Sequence, residues 1–287
     1  MNFKMFHILF SNQKKKFKYN INQLKFLFSL HILNSFEANG RLGNFTKFKF
    51  LPKTYLQAPF SLGRTIRGLS FDKHLYSDPF AIFLKKIIEN ENDNKLINYL
   101  LSCYDREHNL NASDLIRLPN KILSKYPGWA LVLPWDQSAI DIKFKNYPIQ
   151  FIKNRLKFYK EIENTNEKNY QKLFYSIENA KSQLIQTKEL YKSIKKNGLR
   201  KSKEMPKIHI LINGNEWRWL MSGQGNHRAY ILNELKYQYL ECEVDSIISK
   251  NDLTNLNNVK NNIFSEYEAE KIFDHFFKGD KCFRGMT

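Results

Sequence analysis

A chain of 287 residues can bury a sizeable core in one large domain or two. With 42% hydrophobic and 15% aromatic residues, the composition excludes a disordered polypeptide. The 46 Lys and Arg against 28 Asp and Glu give a formal net charge of +18. That balance suits an anionic partner such as a nucleotide, nucleic acid, acidic glycan or membrane surface, although scattered lysines in a Lys- and Asn-rich chain produce it without any ligand.

Cys103, Cys242 and Cys282 are far apart and form no C-x-x-C pair. This argues against a disulfide framework or a thiolate zinc site and fits a reducing cytoplasm. No run of 18 apolar residues occurs, so no membrane span is expected. The apolar stretch over residues 3–10 is followed, not preceded, by Lys14, Lys15 and Lys16, and no small-residue cleavage site follows it. A signal peptide is therefore not expected.

In chain order, Ile21, Leu24, Phe28 and Ile32 repeat at helical spacing and predict a helix over 20–35. Residues 36–70 are rich in Gly and Pro and read as ordered loop, with one short strand at Phe48-Lys49-Phe50. Basic and aromatic residues interleave there, either as an anion-binding surface or as a solvated loop anchored by Phe side chains. Pro79 opens a helix to about Ile88, and a second runs over about 95–103. A short helical stretch lies between Ser113 and Lys121. The apolar run 130–133 predicts a buried strand ending in Pro134-Trp135-Asp136. Asp136 is thus a candidate acid/base residue at a strand end, or a turn-capping Asp.

Residues 147–152 read as a strand ending in the polar turn Asn154-Arg155, followed by a long helix over 167–196 that stops at Asn197-Gly198. Residues 207–212 form a strand, Asn213-Gly214 signals a hairpin, and residues 216–221 return as its partner. The chain then enters Ser222-Gly223-Gln224-Gly225-Asn226-His227-Arg228, a glycine turn that opens a helix and leads to a strand over 239–244. Glycines allow positive φ and close backbone approach, and the first amides of a helix carry partial positive charge. With His227 and Arg228 they could cradle a phosphate, or the glycines could serve only a sharp turn. Two helices, about 255–264 and 266–277, complete the tail, the second with a capping box at Ser265 and Glu268.

The order strand, helix, Ser193-Ile194-Lys195-Lys196-Asn197-Gly198-Leu199, hairpin, Gln224-Gly225-Asn226-His227-Arg228-Ala229, helix, strand resembles the ParB/sulfiredoxin superfamily over residues 147–246. The resemblance implies an α+β fold: a small mixed sheet with helices (147–248), preceded by a largely helical region (1–146) and followed by C-terminal helices (249–287). It implies a nucleotide site in which Gly223, Gly225, Asn226, His227 and Arg228 hold the phosphates of ATP, ADP or CTP. Mg²⁺ is a candidate companion ion. Asn154 and Arg155 stand where ParB proteins carry N-P-x-Q-P-R, here without either proline, and are candidate nucleotide contacts.

Two departures redirect the chemistry. Asn226 occupies the position of the sulfiredoxin cysteine and cannot form a covalent sulfur intermediate. About 40 residues follow Val244, too few for the helical DNA-reading domain of ParB proteins. A third branch of the superfamily phosphorylates small molecules such as free serine, using a carboxylate as general base. The expected function is therefore phosphate transfer from ATP or ADP to a small hydroxyl compound. Glu216 and Asp136 are the leading catalytic candidates, with Glu161 and Glu163 behind them. Glu216 also reads as a surface strand residue. A non-catalytic module binding nucleotide or nucleic acid is the alternative, and a structural protein whose turn has lost its ligand is a third reading.

Overall fold

The hairpin signalled by Asn213-Gly214 forms part of a five-stranded mixed sheet. In the computed structural model, residues 54–72, 77–155, 174–198 and 205–280 are described. The expected helix over 20–35, the 48–50 strand, Glu161, Glu163 and Cys282 lie outside them. The strands are β1 (Thr54–Pro59), β2 (Gly63–Arg64), β3 (Lys207–Asn213), β4 (Glu216–Met221) and β5 (Tyr239–Ser249), in the order β1-β5-β3-β4-β2. β3 pairs antiparallel with β4 and parallel with β5, while β1 runs antiparallel to β5 and β2 parallel to β4. The fold is α+β, and no described helix is long and apolar enough to cross a membrane.

Alternation along the hairpin divides its side chains between two layers. Ile208, Ile210 and Ile212 of β3 and Trp217, Trp219 and Met221 of β4 enter one core. Against them pack α1 (Pro79–Ile88), the end of α5 (Ile177–Asn197) and α6 (Asn226–Glu234). Leu211 and Leu220 face the opposite core, built from α8 (Glu266–Lys278), α3 (Ala112–Ile116) and the segment around Trp135. α2 (Asp93–His108) docks on α1 and α5 through a smaller apolar cluster.

Capping residues set the helix ends. Asp78 caps α1, with Pro79 in its first turn. Gly198, at φ 68°, ends α5 and donates its N–H to Ile194. The Ser265–Glu268 capping box starts α8 as expected. The remaining tail is a 3₁₀ turn, Lys250–Asn255, and a four-residue helix, α7 (Asn257–Lys260), in place of the expected helix over 255–264.

Three further expectations need correction. Residues 147–155 form no strand but belong to helix α4 (Ile140–Arg155), with Pro148 inside it. Ile140, Phe144 and Tyr147 also fit helical spacing, and the rings of Phe144 and Tyr147 stack on Trp129 at 5.3 and 6.1 Å. Residues 130–132 are buried and Leu133 half-buried, but the run has no ladder partner: a 3₁₀ turn, Gly128–Ala130, leads into irregular backbone. Asn258 stitches that backbone down, donating its side-chain amide to Leu133 O at 2.9 Å and its backbone N–H to Pro134 O at 3.3 Å. Residues 54–64, read as loop, supply β1 and β2, so the sheet draws strands from both sides of the expected boundary at 146.

Candidate functional site: a cleft beside the glycine turn

The glycine turn is an extension of the hairpin. Ser222 N–H donates to Lys207 O and Lys207 N–H to Gln224 O, both at 3.0 Å. These bonds hold the turn against the start of β3. Gly225 is the N-cap of α6 at φ 88°, and a Cβ there would lie 2.7 Å from Pro206 Cα. Gly223, at φ 107°, faces open space. The side chain of Asn226 folds back, its amide donating to Gly223 O at 2.7 Å. That bond ties the turn across the helix start.

His227 is positioned by α1. The His227 ring stacks on Phe80 with centroids 4.4 Å apart and planes 7° from parallel. One turn on, Tyr230 OH donates to Asp78 Oδ2 at 2.7 Å, while Asp78 Oδ1 accepts the Phe80 N–H at 2.9 Å. Asp78 and Tyr230 are both buried. A single carboxylate thus caps α1 and fixes α6 beside it. Burial first, then the Asp78 charge, push the Tyr230 hydroxyl well above its ordinary value, so it remains a donor.

Next to the turn opens a cleft of about 400 Å³. Ser222 of the turn and Asp136 both line it, with His209 of β3, Asp245 and Ser246 of β5, and Lys143 of α4. Asp136 is also a turn cap: Oδ2 accepts the Leu133 N–H at 2.9 Å. The turn-capping reading of Asp136 is the one this bond shows, and no strand precedes it. Lys143 is anchored by a hydrogen bond from Nζ to Leu131 O.

His209 is the group that sequence reasoning missed. Its Nδ1 lies 2.8 Å from Ser246 Oγ and 3.8 Å from Asp245 Oδ2. Its side chain is 11% exposed. Burial holds the imidazole below its ordinary value, opposed by the charges of Asp136 and Asp245. A neutral imidazole at pH 7 is a proton acceptor. The signal was a lone His amid Ile208, Ile210, Leu211 and Ile212, matched by the polar pair Asp245-Ser246 that breaks the alternation of β5.

The other candidates do not line this cleft: of the turn only Ser222 does, and Gly223, Gly225, Asn226, His227 and Arg228 are not among its walls. Glu216 lies at the hairpin end of β4, is 57% exposed, and pairs with Arg218 at 3.2 Å. Five residue steps, roughly 17 Å, separate it from Met221, which leads into the glycine turn. Glu216 shares the face of Leu220, the partner of His209, so its distance along β4 and not alternation keeps it from the cleft. Asn154 and Arg155 are at the end of α4, not of a strand, and their side chains lie outside the described residues. A second recess of about 450 Å³ opens near the start of β5, between Phe60 and Tyr237, and holds none of the candidate residues. Among the described residues no group of three or more His, Cys, Asp or Glu is placed to hold a metal ion.

Comparison with protein-family profiles, curated proteins and solved structures gives no match to this chain.

Proposed function

We propose that this protein binds a nucleoside phosphate at the glycine turn and transfers phosphate to a small hydroxyl compound held in the adjoining cleft. The observation that carries the reading is the meeting of two features separated by 86 positions in sequence (222 minus 136): Ser222 of the turn and Asp136 line one cleft. An anion cradle and an acid/base group are the two parts that phosphoryl transfer needs close together. The N-terminus of α6, with His227 and Arg228 in its first turn, supplies the positive field for the phosphates. Asp136 and His209 supply the proton acceptor for the attacking hydroxyl. Phosphoryl transfer depends mostly on positioning and charge neutralisation, so a site of this size suffices.

A thermal-shift screen against ATP, ADP and CTP, with and without Mg²⁺, tests the binding half. A ligand bound only by the native state at a hundred times its Kd adds about 2.7 kcal/mol of stability, a shift of a few degrees. A melting curve unmoved by all three nucleotides at millimolar concentration sinks the proposal.

A further inference from the structure

The cleft holds a side-chain arrangement that a phosphate cradle does not require. Against β3, the register of β5 slips by one residue: Ile208 pairs with Val244, but His209 pairs with Ser246. Asp245 is the extra residue of this irregularity. Bulges re-aim side chains, and this one places Ser246 beside His209 instead of one step away. The result is the 2.8 Å contact between Ser246 Oγ and His209 Nδ1, with Asp245 Oδ2 at 3.8 Å from the same nitrogen. Asp136 acts on the ring from the loop after Trp135. Asp136 and Asp245 are the charged groups acting on the imidazole, and Lys143 lines the same cleft from α4. Ser246 is half-buried and lines the cleft, so a ligand can reach its hydroxyl.

A hydroxyl within hydrogen-bond reach of a base, with carboxylates nearby to favour the imidazolium, meets the first requirement of an activated nucleophile. We propose that Ser246 is a nucleophile, activated by His209, that takes the acyl group of a small ester bound in the cleft. This activity shares His209 and the cleft with the phosphate-transfer reading but needs no nucleotide. In the first step Ser246 Oγ bonds to the ester carbonyl carbon, its proton passes to His209 Nδ1, and the carbonyl π pair moves to oxygen. That pair then returns, the ester C–O bond breaks, and the leaving oxygen takes the proton from His209. Water repeats the sequence on the acyl-serine, releasing the acid and restoring Ser246. Val132 and Trp135 give the cleft an apolar wall for the acyl group. Lys143, Asn146 and Gln150 of α4 bring donors for the oxygen that gains charge.

The test uses the full chain and a fluorophosphonate probe. Ser246 Oγ bonds to phosphorus, fluoride leaves, and His209 takes the proton. Peptide mass spectrometry is expected to place the adduct on Ser246, with labelling about 100-fold slower or more in His209→Gln. An adduct missing from Ser246, or labelling undiminished in His209→Gln, overturns the proposal. On the unaltered chain, the labelling rate is expected to rise with pH through an imidazole titration below ~6.5 and then level off. A rate that climbs without a plateau into the alkaline range contradicts it. Labelled protein is expected to lose the release of nitrophenolate from p-nitrophenyl acetate, and release unchanged by labelling overturns the assignment to esters.

Discussion

Within the glycine turn, two glycines two positions apart do different jobs. Gly225 combines φ 88° with a Cβ position 2.7 Å from Pro206, whereas Gly223 has only its φ of 107° to satisfy. Gly225→Ala is therefore expected to cost more stability than Gly223→Ala. The first adds a clash to a strain of about 1–3 kcal/mol, and the second pays the strain alone. Urea denaturation of both variants measures the order. The Tyr230–Asp78 bond gives a pH signature. A Tyr whose folded pKa is raised contributes stability in full below its unfolded value, about 10, and loses it as pH climbs beyond. Unfolding free energy is expected to fall above pH ~10 in the native chain and less steeply in Tyr230→Phe. That variant also leaves a buried Asp78 oxygen without its donor, a cost of about 1–3 kcal/mol at neutral pH. The turn at Asp136 and the glycine turn were legible at this scale because Pro and Asp side chains, and glycine's lack of one, set local geometry. His209 was not, because its contact is with Ser246 on another strand, 37 residues away.

At the level of elements, the sequence was read well wherever local chemistry settles the outcome. The hairpin, α1, α6 and α8 announce themselves through Asn213-Gly214, Asp78-Pro79, Gly225 and the Ser265–Glu268 box. Segments without such marks went to tertiary packing. Residues 147–155 alternate like a strand, yet Trp129 offers an aromatic face that Phe144 and Tyr147 meet only from a helix. β2 is two residues long and invisible to any periodicity, but it holds the end of α8. Arg64 donates to Phe277 O from Nε at 3.2 Å and from Nη2 at 2.8 Å while itself buried. Arg64→Met is expected to strand that carbonyl and destabilise the protein by about 1–3 kcal/mol. The loss should appear first as faster amide exchange at the C-terminal end of α8, read by hydrogen-exchange mass spectrometry. Protection there equal to the native chain would show that the helix end does not depend on Arg64.

Across the whole molecule, the sheet joins what composition alone separates. β1 and β2 come from the N-terminal third but flank β5 and β4, and Trp219 Nε1 reaches across to Pro59 O at 2.6 Å. A fragment confined to residues 147–248 would bare one edge of β5 and one of β4 and lose the apolar cover of α1 and α8. It is expected to show no cooperative melt by circular dichroism, whereas a sharp transition would mean that the superfamily-like segment folds alone. The same architecture sets the functional claim, because the cleft exists only where the 132–150 segment, β3, β5 and the glycine turn converge. The most direct measurement of that claim is a calorimetric titration of the full chain with ATP and Mg²⁺. Saturable binding with a Kd in the micromolar to millimolar range is expected, lost in Arg228→Ala and retained in Glu216→Gln at the far end of β4. Absence of heat with ATP, ADP and CTP alike, or binding undiminished in a folded Arg228→Ala chain, would contradict the account.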